Sequence, residues 1–265
     1  MGRALCNARA ARHGYHARMP EFNDSQLWRI SAFERARAAS PADTGDQPTL
    51  LSTTLLADLR KLRHHGAAGD DVLAVVAACL RLREAALLHL GCGPLLWPVT
   101  LFPAQGLYHA PRAPSDPGPA EALGRLELLD IERPGLRPPG HHQHERIGRA
   151  EHYRDLPPLL WALALSGPRH ALLDEVPADA RFRLAAGPAL GSAPLSGALR
   201  PAVERLRGTA ASLREIGGWP GMSPERAGRL LNGLYLTGNL MVLRSAQAHA
   251  REPGASRWSQ LTRRR

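Results

Sequence analysis

The hydrophobic positions of this chain change period several times, and each change predicts an element. Between Leu50 and His65, the residues Leu51, Leu55, Leu59 and Leu62 recur at helical spacing, which predicts an amphipathic helix with one buried face. Gly66 to Gly69 ends it, and Asp70 and Asp71 cap and charge the start of a second helix running from Val72 to about Arg83. Its residues Val72, Val75, Val76, Cys79 and Leu80 make the buried side, and the helix is apolar nearly all round, so it belongs at the centre of the first domain. The period then changes. Ala86–Leu90 and Leu95–Phe102, separated by Gly91-Cys92-Gly93, predict a β-hairpin. Pro98 lies inside the second run and has no N–H for a ladder, which asks for an edge position or a bulge. A third strand begins in Gly106–Ala110, a Pro-rich loop covers 110–120, and Arg125–Glu132 alternates as a further strand with Leu126, Leu128 and Asp130 on one side. Ahead of all this, residues 25–33 dock through Leu27, Trp28, Ile30 and Phe33 as a short strand or helical turn, and SPADTGDQP at 40–48 reads as a linker.

Residues 133–151 are rich in proline and glycine and end in HHQHER, the pattern of a flexible loop or domain boundary. Leu156–Leu165 predicts an apolar helix with Pro157 and Pro158 in its first turn, where proline is tolerated. Ala171–Val176 continues it after a break at Gly167-Pro168, Arg181–Ala185 is a short strand, and Leu199–Leu206 is a further helix. The expected fold is α+β. Two helices with a small, mostly antiparallel sheet fill 20–132, and a mainly helical domain fills 152–245. Residues 1–19 and 246–265 are expected to be disordered basic tails. The first of these has the look of a transit peptide or of sequence upstream of a true start at Met19.

The best-specified stretch is Ser212–Leu243. Ser212 and Glu215 have capping-box spacing, and Gly217, Gly218 and Pro220 keep that helix short. Ser223, Pro224 and Glu225 then supply an N-cap, a first-position proline and a first-turn acid. Ala227, Leu230, Leu231, Leu234 and Tyr235 form one stripe, with Arg226, Arg229, Asn232 and Gly233 opposite. Gly238-Asn239 stops the helix, and Leu240–Leu243 suits a strand. Helix, short helix, tight turn, helix and strand in this order resemble the helix-turn-helix and winged-helix modules of bacterial regulators, over about 195–245. The resemblance implies that the second helix of the pair faces a DNA major groove through Arg226, Arg229 and Asn232. A small three-helix bundle that packs on the rest of the protein or on another protein has the same outline, and protein is the favoured partner. A winged helix also needs a second wing strand, and the chain after Arg244 has no strand pattern.

Composition adds less. The chain of 265 residues is 44% hydrophobic but only 5% aromatic, so its core must come from Leu, Ala and Val. Lys61 is its one lysine; the abundance of Arg, Ala, Gly and Pro fits a GC-rich bacterial coding sequence. The net charge of +10 favours polyanionic partners. However, Arg3, Arg9, Arg12 and Arg18 at one end and Arg257, Arg263, Arg264 and Arg265 at the other, free of nearby acids, supply +8 of it. The middle is close to neutral. Cys6, Cys79 and Cys92 form no CxxC, which argues against a disulfide framework and for a reducing cytoplasm. The longest apolar run, Val72–Leu80, is too short to span a bilayer, so no membrane partner is expected.

The candidate chemistry is sparse. His141, His142 and His144, with Glu145 and His152 nearby, have ligand types that suit zinc, and a metal-dependent hydrolase using the His141–His152 loop is the rival reading. Their spacing lacks the helical His-Glu-x-x-His register, so no metal is expected there. His64-His65 reads as a favourable helix C-terminus. No nucleophile elbow, Walker lysine or dinucleotide fingerprint is present, and no cofactor is expected. The expected function is that of a non-enzymatic bacterial regulatory or interaction protein acting through its C-terminal module.

Overall fold

The computed structural model describes residues 27–39, 51–64, 71–185, 190 and 193–243. The two basic ends, the 40–48 stretch, Cys6, Gly66 to Gly69, Asp70 and His65 lie outside them. The fold is α+β with antiparallel sheets, as expected.

The first sheet is built from β1 (Trp28–Arg29), β2 (Ala86–Cys92), β3 (Leu95–Phe102), β4 (Leu107–His109), β5 (Glu127–Glu132) and β6 (Tyr153–Asp155). Its order is β5-β2-β3-β4-β6, with β1 beside the start of β3. The hairpin is tighter than its glycines imply. Cys92 pairs with Leu95, so Gly91 and Cys92 are strand residues and the turn is Gly93-Pro94 alone. Gly93 there has φ +60°, a conformation that glycine adopts without strain. Pro98 sits in an interior strand, yet its site is a local edge. On that side of β3, β1 pairs only with residues 95–96 and β4 only with 100–102. The missing N–H therefore costs no ladder bond.

Helices α1 (Ile30–Ala39), α2 (Thr53–His64), α3 (Val72–Leu82) and α4 (Pro119–Ala122) complete this half. Asp71 caps α3 by accepting from the Leu73 and Ala74 N–H groups. All eight residues from Val72 to Cys79 are buried, the central position that an apolar helix requires. Leu55 and Leu59 of α2 are buried beside it.

Two expectations are corrected. Residues 133–151 are not a linker between domains: they leave β5 and return as β6, which pairs with β4 of the same sheet. The Tyr153 hydroxyl pins this excursion, donating to the Arg137 carbonyl at 2.5 Å and accepting from the Gly148 N–H at 2.9 Å. Ala171–Val176 forms turns rather than a helical continuation of α5 (Leu156–Ser166).

The remaining elements are β7 (Arg181–Leu184), α6 (Leu199–Gly208), β8 (Ala211–Ser212), α7 (Leu213–Gly217), α8 (Pro224–Leu236) and β9 (Leu240–Leu243). The second sheet has the order β8-β7-β9. Its central strand thus comes from ahead of α6, and the other two from behind it. One continuous hydrophobic core runs from α2 and α3 through α5 to α8. Arg169 with Asp71, and Arg81 with Glu175, tie the two halves together at its margin.

Candidate functional site

The local rules that build α8 act as the sequence implied. Ser223 Oγ accepts from the Arg226 N–H at 3.1 Å, and Pro224 occupies the first helical position. Upstream, Ser212 and Glu215 form the complete capping box of α7. Ala227, Leu230, Leu231 and Leu234 are fully buried, and Tyr235 is partly so.

The supposedly open face of α8 is not open, and this corrects the expected site. Asn232 is fully buried. Its Oδ1 accepts from the Leu173 N–H at 2.9 Å and its Nδ2 donates to the Ala171 carbonyl at 2.9 Å, so it serves the 167–180 turns rather than a ligand. Arg229 is half-buried, with Nη1 donating to the Leu165 carbonyl at 2.6 Å and Nη2 to His170 Nδ1 at 2.7 Å. Gly233 lies under the Trp161 ring of α5, where a Cβ would come within 2.4 Å of a ring carbon. Arg226 alone of the three points outward, and it closes onto the Gly221 carbonyl at 2.8 Å. The helix is enclosed because α5 and the turns after it cover the side opposite the leucine stripe.

The exposed surface of this half lies elsewhere, on the outer face of the second sheet. Arg181 pairs with Leu243 and Arg183 with Met241 in register, while Phe182 and Leu184 turn inward. Met241 and Leu243 are 42% and 38% exposed, the exposed large hydrophobics among the described residues. Arg181 donates to the Ala210 carbonyl at 2.6 Å and Arg183 to the Arg207 carbonyl at 3.3 Å. Two held guanidiniums thus stand along one side of two uncovered apolar side chains. On its far side β9 has no partner strand among the described residues.

A second cluster lies on the first sheet. Antiparallel partners share a face, so the pairs His89↔Asp130 and Leu87↔Glu132 place His89, Asp130 and Glu132 on one side of β2 and β5. One ligand atom from each lies within 4.8 Å of the others. His89 is fully buried, Phe33 of α1 packs on its ring at 4.7 Å, and neither ring nitrogen has a hydrogen-bond partner. Burial pushes its pKa down to about 4, against the pull of Asp130, so the imidazole is neutral. Asp130 pairs with Arg37 of α1 at 2.8 Å. Burial and the neighbouring Asp130 raise the Glu132 carboxyl.

The histidines singled out from the sequence do not converge. His141 and His142 stack on each other at 4.1 Å, and His141 Nδ1 accepts from the Gln143 N–H. His144 sits in a separate helical turn. His152 is buried instead against His109 of β4, their rings 5.5 Å apart, and Gly148 passes so close that a Cβ would lie 2.8 Å from His109 Nε2. The His64 side chain lies outside the described residues, and Cys79 and Cys92 are buried in the core. No helix among the described residues is long and apolar enough to cross a membrane.

No family model, curated protein or solved structure matches this chain. His89 escaped the sequence reading because it sits in a run of leucines. The available signal was its alternation: Leu88 and Leu90 join the main core, so His89 faces the other way. Its pairing with Asp130 depends on strand order, which local pattern does not encode.

Proposed function

We propose that this protein is a non-enzymatic regulatory or interaction protein whose C-terminal module, 181–243, binds another protein. The observation that carries this reading is the outer face of the second sheet, where Met241 and Leu243 stand exposed on the edge strand beside Arg183 and Arg181. Exposed apolar side chains beside an open strand edge are an invitation to pair. An extended partner segment with apolar and acidic residues alternating fits both requirements. Its backbone continues the ladder at β9, its apolar groups cover Met241 and Leu243, and its acids meet the arginines.

The likeness to winged-helix modules enters here as support for a regulatory role. β7, drawn from ahead of α6, lies beside β9 as a further sheet strand, which is compatible with such a module. Protein is favoured over DNA as the ligand because α8, the element a groove would have to receive, is occupied by α5 and the 167–180 turns.

The test is site-specific photo-crosslinking in the full chain, with a benzophenone side chain at Met241. A discrete protein adduct is expected, and Arg183→Glu in the same chain should reduce it severalfold. The absence of any adduct at 241, or an adduct indifferent to Arg183→Glu, overturns the reading.

A further inference from the structure

We propose that His89, Asp130 and Glu132 form a binding site for one divalent first-row metal ion. The inference rests on the first sheet and is independent of the partner surface on the second. Buried imidazoles in folded proteins satisfy at least one ring nitrogen; His89 is fully buried and satisfies neither. Beside it stand two carboxylates on the adjacent strand, held on the same face by the pairing His89↔Asp130 and Leu87↔Glu132. A neutral imidazole lone pair and two carboxylates are a donor set for zinc, manganese, iron or cobalt in the divalent state.

The dimensions agree. The three ligand atoms lie within 4.8 Å of one another. Tetrahedral coordination with bonds of about 2.0–2.1 Å separates ligand atoms by about 3.3 Å. Side-chain rotation closes that gap at the outer position, where Glu132 is exposed and exchanges its hydrogen bond with Asp130 for the ion. The backbone needs no change. The ion enters past Glu132, and the fourth position is left to solvent. Phe33 forms the dry wall against His89, so the site has one apolar side and one wet side.

Arg37 sharpens the expectation. Its guanidinium pairs with Asp130 at 2.8 Å from the more exposed helix α1. It is a resident cation competing for the same carboxylate, so its removal should strengthen metal binding rather than weaken it. A purely structural ion pair predicts no such gain.

The full chain, stripped with a chelator, is titrated with zinc by calorimetry and with cobalt(II) by visible absorption. The expected result is one equivalent bound, weakened about tenfold or more by Glu132→Gln and by Asp130→Asn. Arg37→Gln should bind severalfold more tightly, and the double change His141→Ala with His142→Ala should leave the site unchanged. Far-ultraviolet circular dichroism confirms that each variant is folded; Glu132 is exposed enough to be replaced without disturbing the core. Absence of saturable binding at one equivalent overturns the proposal. So does binding that survives Glu132→Gln and Asp130→Asn, whatever the histidine-loop variant does.

Discussion

Replacing Asn232 by alanine separates the two possible environments of α8. On an open helix face the change is nearly neutral, because alanine is the better helix former. In the structure it removes the amide that bridges two backbone groups, the Leu173 N–H and the Ala171 carbonyl, each at 2.9 Å. The Leu173 N–H is buried and left without an acceptor, which costs about 1–3 kcal/mol. The Ala171 carbonyl is at an exposed residue and recovers water, so its loss adds less. With the small void left behind, the total is about 2–4 kcal/mol. For a folded unit of this size each kcal/mol moves Tm by about 2–4 °C, so a fall on the order of 5–15 °C is expected. Urea unfolding should show a lower midpoint at constant slope, which assigns the change to stability rather than to altered compactness. Arg226→Ala, at an exposed residue, is the control and should fall within about 0.5 kcal/mol of the parent. If Asn232→Ala is as mild as that control, the side chain is not buried and the packing described for α8 is wrong.

Two further predictions follow from the same geometry. Gly233→Ala should destabilise by about 1–2 kcal/mol in denaturant unfolding: the added Cβ meets the Trp161 ring at 2.4 Å, and that overpacking exceeds the roughly 1 kcal/mol gained in helix propensity. An increase in stability would mean that α5 does not cover α8 there. Burial pushes the Cys79 and Cys92 thiols up to about 12, so iodoacetamide at pH 8 should leave both unmodified in the native protein and alkylate both in denaturant, as read by peptide mass mapping. Native-state modification of either would contradict its placement in the core.

Much of the fold was legible because local rules govern it. The capping box at Ser212, the Ser223–Pro224 start, the Asp71 cap and the leucine stripe of α2 each depend on residues within one turn of each other. What sequence could not supply was the other side of each contact. Asn232 and Gly233 looked like an open face because polarity and small size resemble exposure, yet a buried amide that satisfies two backbone groups has the same composition. β7 comes from ahead of α6, so its place between β8 and β9 at the centre of the second sheet left no sign in chain order. His141, His142 and His144 attracted notice by adjacency; adjacency in a loop leads here to ring stacking, whereas His89 meets Asp130 across some forty residues of chain by strand pairing.

The proposed partner surface on the outer sheet face depends on α8 being a core helix. Native-state hydrogen exchange of the amides from Ala227 to Leu236, followed across a denaturant series, tests it most directly. Exchange is expected only through global opening, with the free energy and denaturant slope of whole-protein unfolding. Rapid exchange through local, denaturant-independent opening would contradict it and would return α8 to the surface.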